Sequence, residues 1–139
     1  MTAARILMIV CAGVVLLLGT LHLTYTFYGP KLLPRDPDLI AGMQRVALRI
    51  TSETTVWRAW IGFNASHSMG AILFGLVFAY LAAAHPELLF GSAFLLAVGF
   101  AMLAGLVVLG KLYWFSVPFA GLSISLVCYV ASIMVWRLR

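Results

Sequence analysis

The stretch ARILMIVCAGVVLLLGTLHLTYTF, residues 4–27, decides the fold because it is apolar almost throughout and carries one charge, Arg5. A membrane-spanning helix needs about 20 apolar residues, and this run supplies them. The apolar region of a signal peptide is shorter, about 7–15 residues, and no small-residue cleavage site follows here. We therefore interpret the stretch as a retained first membrane helix, which Gly29-Pro30 ends.

The composition extends this interpretation to the whole chain. The 139 residues are 64% hydrophobic and 9% charged, with a mean hydropathy of +1.09. Soluble domains carry about 25% charged residues, so we expect a membrane protein with the lipid bilayer as its solvent. The net charge of +5 comes from basic residues that flank apolar runs, so no nucleic-acid partner is indicated. Cys11 and Cys128 form no C-x-x-C motif and are interpreted as small apolar side chains.

The hydrophobic pattern predicts one all-α domain over residues 1–139. It is a polytopic, up-down bundle of four transmembrane helices, at about 5–27, 55–83, 88–109 and 117–136. His85-Pro86-Glu87 is predicted as a tight turn, and Ser116 as the N-cap of the last helix. In the polar stretch after the first helix, Asp36-Pro37 is predicted to begin a short amphipathic helix over about 37–50 in the headgroup plane.

The distribution of basic residues predicts an orientation. Four spans place both chain ends on one side of the membrane. The side that holds the long connection carries six basic residues, and the side that holds the chain ends carries three: Lys31, Arg35, Arg45, Arg49, Arg58 and Lys111, against Arg5, Arg137 and Arg139. The excess of positive charge predicts that the long connection is cytoplasmic. We expect a multi-pass protein of the cell inner membrane.

Polar residues converge at the long-connection end of the bundle. Asn64, His67 and Ser68 in GFNASHS (62–68) share one helix face, which continues as a stripe of small residues: Ala71, Gly75, Ala79 and Ala82. Small residues let helices approach closely, so this face is predicted to point into the bundle. His22, with Tyr25 one turn later, lies at a similar depth on the first helix. Arg58, Lys111 and Tyr113 reach the same membrane surface.

This convergence predicts a polar pocket for a small or lipidic ligand, open to one leaflet. Its predicted ligand-binding residues are Asn64, Ser68, Tyr25, Arg58, Lys111 and Tyr113. The cations among them favour an anionic ligand, and the amphipathic segment is predicted to act as a lid. Should the pocket support chemistry, His67 and His22 are the candidate catalytic acid–base groups, because imidazole titrates near neutral pH. The sequence leaves open whether the protein is an enzyme.

Two further interpretations remain open. His22 and His67 could be the axial ligands of a b-type haem, because neutral imidazole binds haem iron. Otherwise no metal site and no cofactor is expected, since two histidines leave copper or zinc short of ligands. The last interpretation is a structural or accessory subunit, in which the small-residue stripes serve a homo-oligomer or a larger membrane complex.

The absence of acidic residues from the predicted spans excludes some classes of transport and proton-transfer protein. No Asp or Glu lies inside any predicted span, which argues against carboxylate proton relays and acid-dependent cation exchange.

GFNASHS (62–68), together with KLYWF (111–115), resembles uncharacterised small bacterial four-helix membrane proteins. This resemblance covers most of the chain and implies no activity, cofactor or catalytic residue.

Overall fold

The computed structural model describes residues 2–138, of which the great majority are helical. The elements are α1 (Thr2–Phe27), α2 (Pro37–Arg45), β1 (Ala47–Leu48), β2 (Thr51–Thr55), α3 (Val56–Ala84), α4 (Pro86–Gly91), α5 (Ala93–Tyr113) and α6 (Ser116–Arg137). Over the described residues, α1, α3, α5 and α6 are long and apolar enough to cross a membrane. The predicted all-α, polytopic helical fold is confirmed, and the chain is a multi-pass membrane protein.

Two compact units divide the chain. The loop unit, Gly19–Gly70, contains the end of α1, α2, the two strands and the first half of α3. The bundle unit consists of the residues up to Leu18 and those from Ala71 onward. Helices α1 and α3 therefore each contribute residues to both units.

A small-residue face of α3 lets α1 approach closely in the bundle unit. Of the four predicted stripe residues, Ala71, Gly75 and Ala82 are buried and Ala79 is half-buried. At Gly75 the approach is closest, since a Cβ atom built there would lie 2.6 Å from Leu16 Cβ and 2.8 Å from the carbonyl oxygen of Ala12. Dispersion contacts between close backbones are the main attraction between helices in lipid, where water supplies no hydrophobic driving force.

Within the bundle unit, helix α6 presents small and hydroxyl side chains to its neighbouring helices. Ser125 and Ser132 are both fully buried. The Ser125 hydroxyl donates to the carbonyl oxygen of Cys11 on α1, at 3.3 Å. Tyr129, which the sequence did not single out, is also buried and donates its hydroxyl to the carbonyl of Leu96 on α5, at 2.8 Å. These bonds satisfy polar groups that lipid could not.

The contact between α3, α5 and α6 gives a first testable prediction. A Cβ atom at Gly99 of α5 would lie 2.4 Å from the Tyr129 hydroxyl oxygen and 2.5 Å from Phe78 Cζ. We expect Gly99→Ala to destabilise the protein by about 2 kcal/mol, because an overpacked interior forces buried rings to move. Thermal unfolding of the purified protein in detergent measures this. Gly105→Ala on the same helix is the control, since no atom lies within 4 Å there; equal stability of the two variants would contradict the prediction.

The amphipathic helix is shorter than predicted. Asp36 caps it as expected, since its side chain accepts a hydrogen bond from the Asp38 backbone N–H at 2.9 Å. However, α2 ends at Arg45, and the segment predicted to continue the helix to residue 50 enters an antiparallel hairpin of β1 and β2 instead. The physical reason is the β-branched content of VALRITSETT (46–55), which favours extended backbone over helix.

Three other local predictions need correction. Pro86 begins the short helix α4 rather than lying in a tight turn, because proline suits the first helical position. The third span begins after Ser92, whose side chain accepts a hydrogen bond from the Leu95 N–H at 3.2 Å. Ser116 is the first residue of α6, and its predicted N-cap position is taken by Phe115, which makes no side-chain cap bond.

Candidate functional site

The candidate site lies on α1 and α3 within the loop unit. We call His22, Asn64 and His67 the histidine cluster. His22 lies five residues before the end of α1, and the other two lie on one face of α3. All three side chains are half-buried. Residues three apart on a helix share a face, so Asn64 and His67 meet the same stretch of α1.

A directed hydrogen-bond chain connects the cluster to the backbone of α3. The Asn64 side-chain amide donates from Nδ2 to the carbonyl oxygen of Trp60, at 2.8 Å. This bond fixes the orientation of the amide, so that Oδ1 faces His22 Nε2 at 2.9 Å. An amide oxygen only accepts, and the hydrogen in this contact must therefore lie on His22 Nε2. Neutral His22 then presents its other ring nitrogen, Nδ1, as an acceptor.

The two imidazole rings of the cluster touch. The ring centroids of His22 and His67 are 5.4 Å apart, and the ring planes are inclined at 77°, so the contact is edge to face. Ser68 is fully buried, and its hydroxyl donates to the backbone carbonyl oxygen of Asn64 at 2.8 Å. The Ser68 hydroxyl thus has its hydrogen-bond partner within α3.

Lys31, a cation outside the predicted site, contacts the face of α1 that carries His22. Tyr25 lies one turn beyond His22, and its hydroxyl accepts a hydrogen bond from Lys31 Nζ at 2.8 Å. The same ammonium lies 4.1 Å from the centre of the Tyr25 ring, which is a cation–π distance. Gly29, with φ of 82°, reverses the chain so that Lys31 returns to Tyr25.

The remaining predicted residues have other surroundings. Arg58 has an exposed side chain, and its backbone N–H donates to Thr55 Oγ1 at 3.3 Å at the start of α3. Lys111 and Tyr113 belong to the end of α5 in the bundle unit and are exposed. The Lys111 ammonium lies 5.3 Å from the ring centre of Phe119. Each cation thus has an exposed position typical of residues at the membrane–water interface.

The cluster geometry can be compared with what a metal or haem requires. Across residues 2–138, no three side chains of His, Cys, Asp or Glu lie close enough together to hold a metal ion. A haem iron between two axial histidines requires each ring to direct a nitrogen at opposite faces of the macrocycle. Here the rings are in edge contact, and His22 Nε2 is bonded to Asn64. Ligation of one haem iron by both histidines would therefore require the two rings to separate, and ligation through His22 Nε2 would also require the Asn64 bond to break.

Comparisons of the chain with protein-family models, with curated proteins and with solved structures find no match.

Lys31 and Trp60 were outside the predicted site. A signal for Lys31 does exist in the sequence, because Gly29-Pro30 predicts a turn that can bring residue 31 back to the end of α1. Trp60 contributes only its backbone carbonyl, which no side-chain pattern indicates. It also stacks on Trp57, with ring centroids 5.6 Å apart, at the beginning of α3.

Proposed function

We propose that this integral membrane protein binds the polar group of a small or lipidic molecule at the histidine cluster. The observation that carries the proposal is the contact of two half-buried imidazoles, His22 and His67, inside two spanning helices. Ionisable side chains within membrane helices are costly and mark functional positions more often than packing positions. Packing alone would be served by the alanines and glycines used elsewhere on α3.

The cluster has the chemistry of a polar-group receptor. Neutral imidazole both donates and accepts hydrogen bonds, and it changes charge near neutral pH. Asn64 holds His22 in one orientation, which lowers the entropy lost when a ligand binds. The Lys31 ammonium at Tyr25, one helical turn from His22, favours a ligand with an anionic group. If the bound molecule reacts, His22 and His67 are the groups that would transfer its proton.

Native mass spectrometry of the protein, extracted in mild detergent from its own membrane, tests the proposal. We expect a non-covalently bound mass on the wild-type protein that is lost from His22→Gln and His67→Gln. Glutamine keeps a hydrogen-bonding side chain, so the helices should still pack. Loss of a hydrogen bond to a charged ligand group lowers retention by about tenfold or more. His85→Gln is the matched control, since His85 is exposed at the start of α4 and contacts Tyr80 instead.

Other outcomes would replace the proposal with a different function. A protein without any bound mass, or with the same bound mass in all variants, would contradict ligand binding at the cluster. If the histidine variants instead change the oligomeric mass, the structural or accessory-subunit interpretation replaces it. A Soret absorption band in the purified protein, lost in both cluster variants, would establish haem as the ligand and overturn the polar-ligand proposal.

A further inference from the structure

The tip of the β-hairpin exposes an unusual pair of side chains. Leu48 pairs with Thr51, so Arg49 and Ile50 form the turn between β1 and β2. Ile50 is 89% exposed, the largest value among the large hydrophobic side chains of residues 2–138. Arg49 beside it is exposed as well. The tip therefore presents an apolar side chain and a cation together.

The position of Ile50 in the chain separates it from most other exposed apolar residues. Most of those lie on α1, α3, α5 and α6, the helices long and apolar enough to cross a membrane. Ile50 is followed by the polar strand TSETT (51–55) and lies outside every spanning helix. A large apolar side chain in a polar segment is informative, because water is an unfavourable environment for it. Something less polar than water should cover the tip.

The hairpin is tethered close to the membrane surface. Strand β2 leads directly into α3. Its pairing with β1 is short and bulged, with Leu48 opposite Thr51 and Ala47 opposite Thr55, so the tip stays close to the start of the spanning helix α3. Arg49 in the turn and Arg45 at the end of α2 are both exposed cations. Val46, an exposed apolar residue, lies at the base of the hairpin, where its carbonyl oxygen accepts a hydrogen bond from the Val56 N–H at 2.9 Å. Cations beside apolar side chains match an anionic lipid surface, with headgroups above and acyl chains below.

We propose that the hairpin tip, Arg49-Ile50 together with Arg45, docks into the membrane surface and selects anionic phospholipid headgroups. Ile50 inserts among the acyl-chain ends nearest the headgroups, and the two arginines bind phosphate. This surface is independent of the histidine cluster, so either proposal can fail without the other. A single arginine near an anionic surface strengthens association roughly fivefold, and two act together.

Site-specific fluorescence quenching tests the docking. A polarity-sensitive dye is attached to Ile50→Cys in a Cys11→Ala, Cys128→Ala background, and the protein is placed in lipid nanodiscs. The discs contain phosphatidylcholine alone, or equal parts of phosphatidylcholine and phosphatidylglycerol. Quenching is compared between a lipid carrying a nitroxide near its headgroup and acrylamide in water. A dye on Glu53→Cys, an exposed polar position on β2 outside the turn, is the control.

We expect the dye at residue 50 to be several-fold more accessible to the lipid quencher in the anionic discs than in phosphatidylcholine. Combining Arg45→Gln and Arg49→Gln should abolish this difference, and so should high salt, which screens the attraction. Equal accessibility in both lipids would overturn the selection of anionic headgroups. Quenching by acrylamide alone would overturn docking altogether. Protection from both quenchers, with a second protein present in the sample, would make the tip a protein-binding surface instead.

Discussion

Gly75→Ala is expected to destabilise the protein by about 3 kcal/mol, the larger end of what overpacking a well-packed interior costs. The added methyl group would lie 2.6 Å from Leu16 Cβ and 2.8 Å from the Ala12 carbonyl oxygen, while Leu16 Cα is 3.0 Å away. Two of these three atoms belong to the α1 backbone, which cannot rotate aside as the end of a side chain can. The helices α1 and α3 must then separate or tilt in the bundle unit.

The test is the fraction of folded protein as dodecyl sulfate is added to a mild detergent. Gly62→Ala on the same helix is the matched control, because no atom lies within 4 Å of its added Cβ. Alanine is favoured over glycine in a helix by up to about 1 kcal/mol, so Gly62→Ala should be neutral or stabilising. If Gly75→Ala unfolds at the same dodecyl sulfate fraction as Gly62→Ala, the close approach of α1 to α3 is not needed for stability.

Arg5→Met is expected to cost about 2–3 kcal/mol, through the end of α3 rather than through α1 itself. The Arg5 guanidinium donates from Nε to the Ala82 carbonyl oxygen at 3.0 Å and from Nη2 to that of Ala83. The last carbonyls of a helix have no partner within the helix, and a cation there also favours the negative end of its dipole. Methionine keeps much of the length of the side chain but supplies no donor.

Hydrogen exchange measures this effect locally, because the last turn of α3 should exchange faster in Arg5→Met than in the wild-type protein. Arg137→Met is the control, since Arg137 is exposed at the end of α6 and its removal changes the net charge by the same amount. Unchanged exchange at the end of α3 in Arg5→Met, or an equal change in both variants, would mean that the guanidinium does not cap this helix.

Much of the architecture follows from hydropathy and small-residue spacing. The four spans are predictable because lipid requires about 20 apolar residues for each. The buried face of α3 is predictable because Ala71, Gly75 and Ala82 recur at helical spacing. The hairpin was missed because α2 is amphipathic over only two turns, and the β-branched residues after Arg45 shift the balance to strands. That balance depends on local energies of a few tenths of a kcal/mol, which periodicity does not register.

The candidate site was only partly predictable for a similar reason. Helical spacing places Asn64 and His67 together, and equal depth suggests His22 as their partner. The orientation of the Asn64 amide depends on the Trp60 carbonyl, which belongs to the backbone. Arg5 was counted as a topology signal, because its contact with residues 82 and 83 is invisible without the fold. A basic residue at the end of a span can therefore set the membrane orientation or cap a neighbouring helix, and only the three-dimensional structure distinguishes the two roles.

The bond from His22 to Asn64 has a consequence for proton movement. A relay passes protons through groups that can accept one on one side and release one on the other, as hydroxyls, water and imidazole do. The Asn64 oxygen accepts a hydrogen bond but, as a neutral amide, does not carry a proton onward. The imidazole of His22 is therefore the last group that can carry a proton in this direction. Any proton exchange of His22 with another group takes place at Nδ1. The arrangement is unsuited to a proton relay that continues through Asn64 along α3.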